Sequence, residues 1–227
     1  MKSLLLLLAL TLANPLFSQE KKDVPPPEAA RPKFSLSIIG GLNSNNMPLR
    51  PNHAIEGSLY NDRIQAEHAY FAGLSARQPI CKHFAAKLDA QYVVKGFGVK
   101  MTSPGSQPPV RYQFSYLKLV PQLEYNVYKN IFFSLGGYGA LRLKEHIKYG
   151  DKDWEKIDVD FIQWTENFDW GVASGLRLEF GRFSALVQYH LGLTPAIKLE
   201  VTDDTGQSTP ASQYHRSLQI GLGFKII

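Results

Sequence analysis

The sequence predicts an all-β protein, an eight-stranded antiparallel up-and-down transmembrane β-barrel with short periplasmic turns and long extracellular loops. Three observations predict this fold. Eight segments alternate between apolar and polar residues, charged residues are restricted to one face of those segments, and the connections alternate between short and long. Alternation with a period of two indicates β-strands, because successive side chains of a strand point to opposite faces. The combination is typical of an outer-membrane barrel.

The clearest alternation lies in the stretch from Phe168 to Gly192. Its first half carries apolar residues on one face and small or charged residues on the other, among them Asp169, Arg177 and Glu179. Gly181-Arg182 joins this half to a second run with the same pattern, and so short a link predicts a β-hairpin. Each run has about ten residues, the length that a tilted strand needs to cross a bilayer.

Six further segments show the same pattern, and in all eight the apolar face lacks a charged residue. These segments are 34–43, 68–77, 84–95, 116–125, 131–144 and 217–226. A basic residue that faces lipid at the middle of the bilayer costs roughly 2–4 kcal/mol. This penalty explains a strict exclusion of charge, whereas the surface of a soluble sandwich would tolerate exceptions. We therefore expect the apolar faces to contact lipid and the polar faces to line the lumen.

The predicted lumen carries both signs of charge. Its basic and acidic residues are Arg77, Lys87, Lys95, Lys118, Arg142, Lys144, Arg177 and Lys225, with Asp89, Glu124, Asp169 and Glu179. Within this set we predict a charge network of Lys87, Asp89, Lys118, Glu124, Arg142, Asp169, Arg177 and Glu179. The interior of an eight-stranded barrel is just wide enough to be filled by side chains, which favours a salt-bridged plug. The alternative is a narrow pore that prefers anions, because basic residues are in excess.

The connections alternate in length along the chain. Short connections are expected at Gln78–His83, Asn126–Asn130 and Gly181-Arg182, and long polar ones at Ser44–Glu67, Gly96–Ser115, Glu145–Glu166 and Leu193–Arg216. Short turns at one rim and long loops at the other are typical of an outer-membrane barrel. A sandwich has no reason to sort its loops in this way.

Aromatic residues near the short-turn rim predict an interfacial girdle. They are Phe84, Tyr125, Tyr128, Phe132, Phe133, Phe180 and Phe183. Pro121 lies within a predicted strand and cannot donate a hydrogen bond to its ladder. A closed barrel has no edge strand for it, so we expect a bulge or a local irregularity there.

The N-terminal region indicates export. Met1-Lys2 and the apolar run Leu4–Leu12 predict a signal peptide over residues 1–18. A Pro-rich periplasmic leader over residues 19–33 and a barrel over residues 34–227 are expected to follow. The protein contains one cysteine, Cys81, so it has no internal disulfide.

Four stretches of the predicted barrel resemble the PorT-like family, the outer-membrane β-barrel domain proteins of Bacteroidetes. They are Tyr116–Tyr125 with its mid-strand proline, Ile131–Leu143 with its Gly-Gly-Tyr-Gly centre, Gly171–Phe180 and Arg216–Phe224. The resemblance implies an eight-stranded barrel in the outer membrane, inserted by the barrel-assembly machinery. It does not imply a particular biochemical activity.

For function, the sequence favours a non-enzymatic outer-membrane protein with a structural, surface-interaction or secretion-accessory role. Aromatic residues are favoured at interfaces, so the candidate contacts with a protein partner are the loop residues Tyr149, Trp154, Phe161 and Trp164. We expect contact with outer-membrane lipid, no nucleic-acid partner and no cofactor. The histidines lack a metal-binding spacing.

Two other functional classes remain open. The pair His215 and Ser217 would share a face of the last strand, where an imidazole could activate the hydroxyl, with Asp169 or Glu67 as the orienting carboxylate. This arrangement would suit a lipid-modifying enzyme, although polar residues are ordinary at the start of such a strand. A soluble exported sandwich or lipocalin-like barrel is the third hypothesis.

Overall fold

Eight long strands form one antiparallel sheet in the computed structural model. The structure describes residues 34–47, 49–50, 64–99, 110–150, 153–156, 167–202 and 208–227, so the predicted signal peptide and leader lie outside the described residues. The strands are β1 (Ser35–Asn46), β2 (Leu49–Arg50), β3 (Ile64–Pro79), β4 (Phe84–Val99), β5 (Val110–Tyr128), β6 (Ile131–Tyr149), β7 (Glu155–Lys156), β8 (Phe168–Phe180), β9 (Phe183–Thr202) and β10 (Ser208–Lys225).

The sheet closes into a barrel because β1 pairs with both β3 and β10. The remaining long strands pair in chain order, and every pairing is antiparallel. The seam between β1 and β10 runs without interruption from Ser37↔Lys225 to Asn46↔Arg216. The two-residue strands β2 and β7 add to β10 and β6. The predicted fold class, an eight-stranded up-and-down barrel, is confirmed.

The two faces of the strands have the predicted environments. Outward apolar side chains are uncovered by protein, and Leu42 and Leu222 are each 69% exposed. Inward charged side chains are buried, and Asp89, Lys95 and Lys118 are each 0% exposed. A soluble sandwich would reverse this distribution. No helix within the described ranges is both long enough and apolar enough to cross a membrane.

The strands are longer at one end of the barrel than the alternation predicted. The short turns lie where expected, but β4 continues to Val99, β5 begins at Val110 and β6 continues to Tyr149. β9 and β10 likewise extend to Thr202 and from Ser208. These extensions were predicted as loops because their sequences are polar. Beyond the lipid, the outer face of a strand meets water and no longer needs apolar residues.

The aromatic girdle is largely as predicted, with one error. Phe84, Tyr125, Tyr128, Phe133, Phe180 and Phe183 are all exposed on the outer face. The prediction that Phe132 belongs to the girdle is wrong, because this residue occupies a lumen position of β6 and is 5% exposed. Val94, which alternation places on the apolar face of segment 84–95, is also buried.

A β-bulge in β6 reverses the predicted alternation. Tyr116 pairs with Arg142 but Ser115 pairs with Lys144, so Leu143 is an extra residue in β6. An extra residue in one strand shifts the following side chains to the opposite face. Lys144, predicted in the lumen, is exposed, and Glu145, predicted in a loop, is 1% exposed. Lys225, also predicted in the lumen, is exposed at the end of β10.

The expected irregularity at Pro121 occurs on one side of its strand. Toward β4 the pairing is continuous and includes Leu88↔Pro121. Toward β6 the pairs Leu119↔Gly139 and Gln122↔Gly136 are in the same register. Val120 and Pro121, which lie between them, form no register pair with β6. The missing N–H of the proline therefore interrupts a ladder without producing a bulge.

Candidate functional site in the barrel lumen

The charged residues of the lumen are arranged in successive layers along the barrel axis, and the first lies near the short-turn rim. Glu124 accepts hydrogen bonds from two arginines of other strands. Arg77 Nε donates at 2.5 Å, and Arg177 Nη2 and Nε donate at 2.7 and 3.0 Å. Arg177 also pairs with Glu179. The guanidinium carbons of Arg77 and Arg177 lie 4.9 and 4.4 Å from the ring centroid of Phe132, close enough for cation–π contacts.

The second layer joins β4, β5 and β9. Lys87 Nζ lies 2.8 Å from Asp89 Oδ2 and donates to Gln122 Oε1 at 3.1 Å. Gln188 Nε2 donates to the same Asp89 oxygen at 3.0 Å. Asp89 is 0% exposed and Lys87 5% exposed, so this ion pair is shielded from water. Its hydrogen bonds connect opposite walls of the barrel.

The third layer is centred on Asp169. Its Oδ2 lies 2.5 Å from Lys95 Nζ, and its carboxylate also accepts hydrogen bonds from the hydroxyls of Tyr138, at 3.1 and 3.2 Å, and Thr194, at 3.3 Å. The Lys95 ammonium is 4.8 Å from the centroid of the Tyr116 ring and 5.2 Å from that of Tyr138. Asp169 is therefore fully engaged in holding the lumen together.

Lys118 lies in the lumen without a carboxylate within 4.0 Å among the described residues. Its Nζ is 3.4 Å from His190 Nε2 and 5.6 Å from the centroid of the Tyr138 ring. The His190 ring meets that of Tyr138 edge-on, with centroids 5.6 Å apart. The predicted network residue Lys118 thus contacts aromatic and imidazole rings and forms no ion pair in the described structure.

Arg142 forms a separate ion pair nearer the long-loop end. Its Nη1 lies 2.5 Å from Glu145 Oε1, and its Nη2 donates to Asn167 Oδ1 at 2.7 Å. Glu145 was not among the predicted lumen residues, because the bulge at Leu143 precedes it. Tyr116 and Tyr138 were also absent from the predicted network, although strand alternation by itself places both side chains inward.

His215 and Ser217 both face the lumen and are each 1% exposed. His215 Nε2 lies 3.2 Å from the hydroxyl of Tyr116, and the two rings meet edge-on. The Ser217 hydroxyl has no hydrogen-bond partner among the described residues. Asp169, one proposed orienting carboxylate, is engaged by Lys95, and the other, Glu67, pairs with Arg111. The described geometry does not assemble a nucleophile with its base.

The described part of the lumen contains an apolar cluster and a small polar cavity. Toward the long-loop end an apolar cluster packs around Phe97, Phe114 and Tyr138, with Met47 beside them. Near the short-turn rim, a cavity between Ser75, Arg77, Lys87 and Arg177 has a volume of about 20 Å³. This volume accommodates a single water molecule or little more. The described residues contain no group of three His, Cys, Asp or Glu side chains that could hold a metal ion.

The predicted contact residues of the long-loop end are only partly described. Tyr149, the last residue of β6, is 42% exposed, and Trp154 next to β7 is 41% exposed. The Nζ of Lys148 lies 6.0 Å from the centroid of the Trp154 ring. Phe161 and Trp164 lie outside the described residues.

Comparison with known sequences identifies one family. The model of the family described as "Outer membrane protein beta-barrel domain" matches residues 17–198. A search of curated proteins found no match.

Solved structures with a similar arrangement are outer-membrane proteins. Ail, the attachment invasion locus protein of Yersinia pestis, is 10% identical, with 86% of this chain and 99% of Ail covered and a TM-score of 0.43. OprG from Pseudomonas aeruginosa is 14% identical, with 85% and 95% covered and a TM-score of 0.43. Neisserial surface protein A is 10% identical, with 85% and 99% covered and a TM-score of 0.46.

Proposed function

Because the chain belongs to the outer membrane protein beta-barrel domain family, we propose that it is a non-enzymatic scaffold in the outer membrane that interacts with other molecules through its long-loop end. Its localisation in the outer membrane follows from the family and from the lipid-facing surface of the barrel. The observation that carries the proposal is the side-chain packing of the lumen. Ion pairs and hydrogen bonds cross it in three layers, at Glu124, Asp89 and Asp169.

The long-loop end supports a role in surface interaction. The sheet extends beyond the predicted lipid-facing segments at this end, in strands β4, β5, β6, β9 and β10. Exposed Tyr149 and Trp154 at this end are of the kinds enriched at interfaces. Four expectations stay predictions. They are a secretion-accessory role, an unidentified protein partner, insertion by the barrel-assembly machinery and the Bacteroidetes-specific PorT-like assignment.

Electrical recording separates this scaffold from the anion-preferring pore. The protein, purified from the outer membrane, is inserted into planar phosphocholine bilayers, and ion current is measured under an applied voltage. We expect no stepwise conductance, because paired side chains cross the described lumen in three layers. Reproducible conductance steps with preference for chloride would contradict the scaffold and support the pore.

Lipid analysis tests the enzymatic alternative. The variant Ser217→Ala removes a hydroxyl that makes no hydrogen bond in the described structure, so the barrel should fold normally. Cells expressing the wild-type or the variant protein are compared with cells lacking it, and their lipid A and phospholipid profiles are recorded by mass spectrometry. We expect three identical profiles. A lipid species that depends on Ser217 would identify an enzyme.

A further inference from the structure

A basic surface lies on the outside of the barrel, directly beyond the lipid-facing band of β5 and β6. We name it the basic ladder and define it as Arg111, Lys144, His146 and Lys148. The lipid-facing band below it includes the register pair Leu117↔Leu141, whose side chains are 49% and 50% exposed, and Leu143, which is 47% exposed. The outer face therefore changes from apolar to basic within a single residue step of β6.

The register of β5 and β6 places the ladder residues on one face of the sheet, in every second residue pair. Ser115 pairs with Lys144, Gln113 with His146 and Arg111 with Lys148. Lys144 and Lys148 are separated by four residues, which corresponds to about 13 Å along a strand. The headgroup region of a bilayer leaflet is about 5–8 Å thick. The ladder thus begins at the headgroup level and extends beyond it.

The bulge at Leu143 creates this surface. Without the extra residue, Lys144 would face the lumen, as simple alternation predicts, and Glu145 would lie on the outer face. With it, Lys144 is exposed outside, while Glu145 turns inward and pairs with Arg142. Bulges that redirect side chains are common next to functional sites.

The neighbouring charges leave the two lysines available. Arg111 pairs with Glu67 at 3.3 Å, which offsets its charge. Glu155 is the register partner of Ile147 and not of a ladder residue, and the exposed Asp153 lies before β7. No carboxylate lies within 4.0 Å of Lys144 or Lys148 among the described residues. Trp154 lies beside Lys148.

We propose that the basic ladder binds the phosphate groups of an anionic glycolipid in the outer leaflet. The acyl chains of this lipid would contact Leu117, Leu141 and Leu143, and its phosphates would contact Lys144 and Lys148. Lysines at the surface of a bilayer attract anionic lipids electrostatically. The position of the ladder directly beyond the apolar band favours a lipid over a soluble anion, because a lipid contacts both surfaces at once.

Native mass spectrometry of the full-length protein tests this proposal. The protein, extracted from the membrane in an uncharged detergent, is titrated with diphosphoryl lipid A, with dephosphorylated lipid A and with inorganic phosphate. The variant Lys144→Gln/Lys148→Gln is compared with Lys82→Gln/Lys225→Gln, which removes the same charge from exposed positions at the short-turn rim. Electrophoresis without boiling verifies that each barrel is folded.

We expect the wild type to bind diphosphoryl lipid A and the ladder variant to bind it about tenfold more weakly. The rim variant should stay within about twofold of the wild type, and dephosphorylated lipid A should not distinguish the proteins. If the double variant does not fold, Lys144→Gln and Lys148→Gln are measured separately, each with an expected loss of about threefold. Equal affinity of ladder variant and wild type would overturn the proposal.

Two further results would also overturn it. An equal loss in the rim variant would show that overall charge governs binding. Binding of inorganic phosphate as strongly as lipid A would exclude a contribution from the acyl chains.

Discussion

At the scale of single residues, Glu124 organises the short-turn end of the lumen. Its carboxylate receives three hydrogen bonds from Arg77 and Arg177, and both guanidinium groups also contact the ring of Phe132. Glu124 is 1% exposed. Loss of one member of a buried ion pair is costly, because the remaining charge is left without compensation. Glu124 is therefore expected to contribute strongly to the stability of the barrel.

The variant Glu124→Gln should lower the free energy of unfolding by about 3 kcal/mol, the lower limit for a buried ion pair, because solvent partly screens the arginines. The control Glu179→Gln removes a carboxylate that is about one-third exposed and pairs with Arg177. It should cost about 1 kcal/mol or less. Urea unfolding of bilayer-inserted protein, followed by tryptophan fluorescence, measures both values. Equal losses would contradict the central position of Glu124.

Two adjacent glycines of β6 differ in the space available to a side chain. A β-carbon at Gly136 would lie 2.1 Å from the carbonyl oxygen of Pro121, whereas one at Gly137 would be 3.4 Å from the nearest atom, the carbonyl oxygen of Gly171. Backbone atoms of a neighbouring strand cannot move aside easily. The small lumen residue at position 136 is therefore required by the close approach of β5.

We expect Gly136→Ala to destabilise the barrel by about 1–3 kcal/mol, as overpacking usually does. Gly137→Ala should leave the urea midpoint nearly unchanged, because its β-carbon makes an ordinary van der Waals contact. The two variants add the same methyl group at adjacent positions of β6. A larger loss for Gly137→Ala would show that β5 and β6 are less closely apposed than described.

At the scale of elements, the bulge in β6 determines which side chains enter the lumen. Because Leu143 is an extra residue, the inward residues Arg142 and Glu145 are three positions apart instead of two. The same residue turns Lys144 outward. A local change in the pairing of two strands thus moves one charge out of the lumen and another into it.

Cysteine labelling measures this alternation directly. In a Cys81→Ser background, which removes the exposed native thiol, Lys144→Cys should react with a membrane-impermeant maleimide in the folded protein. Glu145→Cys should react only after denaturation, because Glu145 is 1% exposed. Labelling of position 145 and protection of position 144 would indicate that β6 has no bulge.

At the scale of the whole molecule, stability depends on closure of the sheet. Ten consecutive register pairs join the first strand to the last, so the barrel has no free strand edge at this seam. Unsatisfied backbone groups in the hydrocarbon region cost several kcal/mol each. An open sheet in the same position would expose such groups along two strands.

Electrophoresis without boiling tests closure. The wild type should migrate faster than its boiled form, because a closed barrel stays compact in detergent. A truncation after Gln207 removes β10 and should abolish the fast form, since β1 and β9 would lose their partner. A compact form that persists after this truncation would contradict closure through the β1–β10 seam.

The sequence predicted the fold and most of the lumen face, and its errors have different causes. Alternation placed Lys118, Glu124 and Asp169 inside because charge is excluded from the lipid face. It failed at Lys144 and Glu145, where an extra residue in one strand breaks a rule that assumes regular pairing. Phe132 was assigned to the girdle from its proximity to other aromatic residues, although its own position in β6 is inward.

By itself, the sequence determined which surface meets lipid, how many strands cross the membrane and where the short turns lie. These features follow from local periodicity and from the cost of charge in hydrocarbon. The tertiary structure decided which lumen residues pair, how far the strands continue beyond the lipid and where the bulge lies. Those features depend on the register between strands that are distant in sequence, such as Lys95 of β4 and Asp169 of β8. Register is settled when the barrel closes.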